Sequence, residues 1–283
     1  MTGTDFDGRR VVTFESRRAA EMASLIARHG GAAVSAPALR EVPLADNPSA
    51  LGFARSLASG AFDVVILMTG VGTRALVAEI EPEMDRATFV AALGRVPLVV
   101  ARGPKPANVL RALGVAGFTT VPEPNTWREV ARAVEASGVL VGRRVAVQEH
   151  GAPSHELHDL LTRAGAQVTA VQVYRWALPE DTAPLRRALH EIAEGRAEIA
   201  LFTSRAQVEH AFAIAAEEGV EAAFRERLRR GVVASIGPVC TEALRAEGLT
   251  PDLEPEHPRM GHLVKTASER ATAILAAKAS GVV

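Results

Sequence analysis

Cysteine occurs once in this chain, at Cys240. That single thiol excludes an intrachain disulfide framework and any cysteine-based metal cluster, and a cytoplasmic setting is the expectation. A charge of one sign is missing too. The 32 basic and 33 acidic residues leave a formal net charge of −1, so no overall field draws the chain to nucleic acid or to an anionic membrane. No apolar run approaches the ~20 residues that span a bilayer; even residues 64–68 are only strand length. Residues 1–10 are polar and acidic before a basic pair, without the apolar segment of a signal peptide. Nucleotide-binding signatures are equally lacking. Leu67-Met68-Thr69-Gly70-Val71-Gly72-Thr73-Arg74-Ala75 lacks the Gly-Lys of a Walker A loop, and Ala75 stands where Gly-x-Gly-x-x-Gly needs its third glycine. Neither a Ser-His-Asp triad nor paired acid and base carboxylates can be named.

What the chain does have is length for two domains of roughly 130 to 150 residues, and a repeat. At a shift of 134 residues, Gly8-Arg9-Arg10-Val11 recurs as Gly142-Arg143-Arg144-Val145. Residues 64–69 match 198–203 in hydrophobic outline, and Arg102-Gly103-Pro104 matches Ile236-Gly237-Pro238. Two copies of one α/β unit account for this; the alternative is convergent patterning on an alanine-rich background. Strands are expected at 11–14, 33–35, 64–68, 98–101 and 232–236. Helices are expected at 17–29, 106–113 and 239–247, the latter two stopped by Gly114 and Gly248, and at 262–278. The alternation predicts Rossmann- or flavodoxin-like parallel sheets. Residues 37–44 are extended by prolines, and 168–176 read as one long β-branched and aromatic strand. If these joins pair, residues 44–170 form an inserted domain, residues 1–40 with 175–283 form a discontinuous one, and 36–44 and 170–176 are hinge strands. Two sequential domains would have the same strand count.

In open α/β sheets ligands collect beyond the carboxyl ends of strands, where helix N-termini present N–H groups. Thr69, Gly70, Val71 and Gly72 stand there as an anion cradle, or as glycines that merely turn the chain into a helix. Arg102 and Lys105, around Gly103, add a bidentate clamp and a point charge for a carboxylate. Ser16 with Arg17, and Ser204, add hydroxyls and a cation after other strands, and Gly237 keeps a helix N-terminus. Each arginine taken singly reads as a solvated charge; the cluster favours an anionic ligand. Cys240, at a helix start, is either thiolate-like or an inert half-buried thiol. Tyr174, the single tyrosine, either donates a proton or hydrogen bond into a cleft or packs as a hinge aromatic. His150 and His155 are five residues apart and lack a close third ligand, so no metal is expected. His158 and His262 read as helix-surface residues.

Taken together, Ser16-Arg17-Arg18, Thr69-Gly70-Val71-Gly72, Ala101-Arg102-Gly103-Pro104-Lys105, Val173-Tyr174-Arg175 and Ile236-Gly237-Pro238 through Leu249 resemble the uroporphyrinogen-III synthase family. Their order and spacing extend over roughly 230 residues. The resemblance implies two α/β domains, one inserted in the other, joined by a two-stranded β-ladder. It also implies a cofactor-independent lyase that cyclises hydroxymethylbilane, a tetrapyrrole chain with eight carboxylates, with loss of water and inversion of ring D. Tyr174 falls on the family tyrosine assigned to hydroxyl departure. Ser16, Arg17, Thr69, Gly70, Val71, Gly72, Arg102, Gly103, Lys105, Ser204, Gly237 and Cys240 fall on substrate-binding loops, although Cys240 replaces a usual threonine. A monomer in transient contact with the upstream bilane-forming enzyme is expected, with neither nucleic acid nor membrane as partner. Two other readings stay open: a two-lobed cytoplasmic small-anion binding or sensor protein, and a nucleotide-sugar glycosyltransferase.

Overall fold

A computed structural model describes residues 5–44, 47–138 and 140–281. Residues 1–4 of the segment read above as lacking a leader lie outside the described residues. The chain runs β1 (Arg10–Thr13), α1 (Ala19–Arg28), β2 (Ala32–Ser35), β3 (Arg40–Pro43), α2 (Pro48–Ala58), β4 (Val64–Leu67), α3 (Gly70–Ile80) and α4 (Arg86–Leu93). It continues through β5 (Leu98–Ala101), α5 (Pro104–Leu113), β6 (Thr119–Thr120), α6 (Trp127–Glu135), β7 (Arg144–Gln148), α7 (His155–Arg163), β8 (Gln167–Val171) and β9 (Tyr174–Ala177). It closes with α8 (Ala183–Ala193), β10 (Ile199–Phe202), α9 (Arg205–Glu217), α10 (Glu221–Arg230), β11 (Val232–Ser235), α11 (Pro238–Ala246) and α12 (Met260–Ala279). Among the described residues no helix is long and apolar enough to cross a membrane.

Contacts divide the chain into two compact units. One joins Met1–Arg40 to Ala177–Val283; the other is the continuous Glu41–Trp176. The first holds a sheet in the order β11-β10-β1-β2 and the second a sheet in the order β6-β5-β4-β7-β8. Both sheets are parallel throughout. Where the chain leaves the first unit and where it returns, β3 and β9 pair as a separate two-stranded sheet.

The two sheets share one strand order, β11-β10-β1-β2 being repeated as β5-β4-β7-β8. Each sheet therefore takes two of these strands from each sequence copy, and the repeats are out of phase with the units. The correspondence slips by one residue along the way. Val11 and its counterpart Val145 pair with Ile199 and Val64 respectively, so Thr69 answers to Ser204 rather than to Thr203.

Strand residues alternate strictly between two cores. In the first unit Val12, Ala200, Phe202 and Val233 face one cluster, with α8 to α11, while Val11, Ile199, Leu201 and Val232 face the other, with α1 and α12. In the second, Val65 and Leu67 face α2 to α5, while Val64 and Ile66 face α6 and α7. This two-sided cover is why the strands read as unbroken apolar runs. Each fully buried Leu or Ile among them contributes about 1.5–3 kcal/mol.

The expected single strand over 168–176 is in fact two, β8 and β9, broken at Gln172-Val173. Tertiary hydrogen bonds make the break. The Gln172 carbonyl accepts from Asn47 Nδ2 (2.5 Å), its side chain donates to the Gly151 carbonyl (3.1 Å), and the Val173 carbonyl accepts from Leu44 N (3.3 Å).

Candidate active site

In the second unit the turn after β4 enters α3 directly. Thr69 is the N-cap, in an extended conformation, and its hydroxyl accepts the Gly72 N–H at 2.9 Å. That bond removes Gly72 as an anion donor and leaves the N–H groups of Gly70 and Val71 at the helix start. Neither glycine has a positive φ, so the expected tight turn is not what they provide. They are required for close approach instead. A Cβ on Gly70 would stand 2.8 Å from the Lys105 carbonyl oxygen, and one on Gly72 would overlap the side-chain amide of Gln148.

Beyond β5, Gly103 is extended, and a Cβ there would stand 2.7 Å from the side-chain amide of Asn125. Pro104 and Pro106 strip α5 of two of its leading donors. The cation is a stronger feature than the helix end. Arg102 keeps part of its surface open, yet protein surrounds it closely enough that desolvation lowers its pKa, with Tyr174 acting in the opposite direction. Among the described residues no carboxylate pairs with it. The Lys105 side chain is exposed and already has a polar partner.

Tyr174 is buried, 3% exposed, with its ring edge-on to Trp176 at 5.4 Å. Its hydroxyl oxygen lies 3.3 Å from Thr69 Oγ1. The packing expected of a hinge aromatic is present, and the hydroxyl has a polar contact within the same unit. Trp176 is itself fixed by donating Nε1–H to the His150 carbonyl at 2.9 Å.

Gln148 escaped the sequence reading, and Glu149 entered it only as a neighbour of His150. Gln148 closes β7 after three apolar residues and accepts the Thr69 N–H through Oε1 at 3.3 Å. Glu149, fully buried, accepts the Ser154 N–H at 3.1 Å, and its other oxygen lies 2.6 Å from His158 Nε2. His158 is thus no plain surface residue: α7 turns its ring toward the buried carboxylate, although the close approach lacks hydrogen-bond geometry. The signal available was the polar pair Gln148-Glu149 directly after an apolar run. Among the described residues no group of three His, Cys, Asp or Glu is arranged to hold a metal.

In the first unit the expected groups sit at strand ends, but most are committed internally. Ser16 Oγ accepts Leu39 N–H (3.2 Å), and Ser204, the N-cap of α9, accepts Gln207 N–H (3.3 Å). Gly237 donates its N–H to Ser235 Oγ (3.3 Å). Arg17 is exposed and has a polar partner. Thr203 donates to Glu15 (2.7 Å) and is bracketed by Gln207. Of the two readings of Cys240, burial favours the inert thiol: its side chain lies in the core with Ala243 and Leu244, 2% exposed, and not on a ligand-facing surface. Helical spacing turns these residues to one face. Burial pushes the thiol up to about 11, with a hydrogen bond to Ser235 opposing the rise. Its neighbour Thr241 is also buried, with Oγ1 2.5 Å from Glu254.

Comparison with known proteins agrees with this arrangement over nearly the whole chain. The family model described as uroporphyrinogen-III synthase HemD matches residues 20–265. An uncharacterised protein, YjjA, of Bacillus subtilis (strain 168) is 32% identical over 264 residues, covering 91% of this chain and 94% of that protein. A crystal structure of a mutant uroporphyrinogen III synthase from the extremely thermophilic bacterium Thermus thermophilus superposes with a TM-score of 0.71 at 25% identity, covering 94% of this chain and 99% of that one. The wild-type enzyme in a second crystal form gives 0.56 at 26% identity, over 94% and 98%. With a family match that extends through both units and solved relatives built on the same parallel α/β sheets, the chain belongs to the uroporphyrinogen-III synthase family.

Proposed function

We propose that the chain cyclises hydroxymethylbilane to uroporphyrinogen III. Departure of the terminal hydroxyl as water leaves an electrophilic azafulvene, whose exocyclic carbon is attacked by the substituted carbon of ring D. The resulting spiro intermediate fragments and recloses with that ring inverted. The unaided bilane closes without inversion, so the protein's main contribution is orientation of the ring D end. Tyr174 supplies the hydrogen bond or proton that assists water loss. Thr69, with the N–H groups of Gly70 and Val71, and Arg102 with Lys105 around Gly103, hold acetate and propionate arms. Gly72 and Cys240 contribute through packing. The observation that carries the reading is the Thr69–Tyr174 hydroxyl pair, 3.3 Å apart at the start of α3, with Arg102, which pairs with no carboxylate among the described residues, on the turn after the neighbouring strand β5; hydroxyls and a guanidinium suit an incoming polyacid. The reading extends to a cytoplasmic monomer that takes its bilane from the upstream enzyme in a transient contact, favoured by the lability of the open chain.

Isomer-resolved product analysis after adding hydroxymethylbilane tests this. The inverted type III macrocycle is expected; release of the uninverted isomer alone would refute it.

A further inference from the structure

Gln148 is 1% exposed at the end of β7, where the three preceding residues are apolar. A buried amide is retained only where its hydrogen bonds are made. Here Oε1 accepts the Thr69 N–H at 3.3 Å and Nε2 donates to the Glu149 carbonyl. The same amide occupies the space over Gly72 that any larger residue would fill. Thr69 thus sits where several contacts meet. Its hydroxyl caps α3 through Gly72 N–H and faces Tyr174, while its own N–H is held by Gln148. The cap is local to the turn and to α3; the amide ties the turn to β7. An apolar side chain of equal size would fill the same volume but leave the Thr69 N–H unpaired.

We infer that Gln148 is a positioning residue for the ring-closing reaction, fixing Thr69 and through it the Tyr174 hydroxyl relative to the free N–H groups of Gly70 and Val71. The inference rests on the functional reading above. Gly72 is its counterpart, kept small so that the amide reaches under the first turn of α3. Small displacements of such a constellation lower turnover with little effect on binding.

The test uses Gln148→Met and Gly72→Ala in the full chain with hydroxymethylbilane, each alone and combined with Tyr174→Phe. The readouts are kcat, KM and the ratio of inverted to uninverted product after correction for unaided closure. Expected are a kcat lower by about tenfold or more, a KM within about twofold, more uninverted product, and no further loss in the Tyr174→Phe background. Gly72→Ala introduces a good helix former and displaces the amide from the opposite side, so it carries the same readouts if Gln148→Met does not fold. Unchanged kcat and product ratio, or a full additional loss in the Tyr174→Phe background, overturns the inference while the function stands. If Tyr174→Phe itself has no effect, the assigned role of Tyr174 fails and takes the inference with it.

Discussion

The phenolic oxygen of Tyr174 lies 3.3 Å from Oγ1 of Thr69, which brings the chain's single tyrosine to the start of α3. The ring is packed against Trp176 and within the second unit's core, so removing the hydroxyl leaves the packing intact. Tyr174→Phe should therefore melt within a few degrees of the parent while type III formation slows by about tenfold to a hundredfold. A stopped-flow rate equal to the parent's across pH would remove Tyr174 from the mechanism.

Arg102 opposes stability and binding to one another. Its pKa is lowered chiefly by desolvation, so the folded state binds this proton less tightly than the unfolded chain does. That penalty applies wherever the group is charged in both states and is constant through neutral pH. Arg102→Met should then leave the melting temperature unchanged or raise it, while KM for the bilane rises by about tenfold or more. Adding Lys105→Ala weakens binding further, most at low salt, because Lys105 is exposed. Unaltered KM in the double variant would contradict carboxylate binding at this turn.

Two helical glycines should respond in opposite directions to the same substitution. Gly70→Ala drives a Cβ to 2.8 Å from a backbone carbonyl of α5, which cannot swing aside, and should cost about 1–3 kcal/mol. Gly52, inside α2, has nothing within 4 Å, and Gly52→Ala should gain up to about 1 kcal/mol. Chemical denaturation of both variants decides the matter; equal shifts would refute the close approach.

Strand positions were legible because two-sided burial writes itself into the sequence as apolar runs such as 64–68, and helix ends because Gly114 caps α5 in the left-handed conformation at φ 90°. The break between β8 and β9 was not, since Gln172 and Val173 have no turn propensity and yield only to partners distant in sequence. The repeat was legible, but its one-residue slip at β10 was hidden by outline similarity. At the site, Thr69, Arg102 and Tyr174 stood out by type and position. Gln148 did not, because the polar pair Gln148-Glu149 after an apolar run acquires meaning only when another strand's turn is laid over it. Cys240 stayed open between a substrate-loop position and an inert thiol because its place at a helix start is visible in sequence, and the direction of its side chain is not.

The phase difference between repeats and units sets an order of assembly. Val11 gains its neighbour Ile199 only when most of the chain exists, whereas the sheet of Glu41–Trp176 is complete once β8 emerges. During synthesis the N-terminal strands wait, with one flank unzipped, while the later-encoded module closes ahead of them.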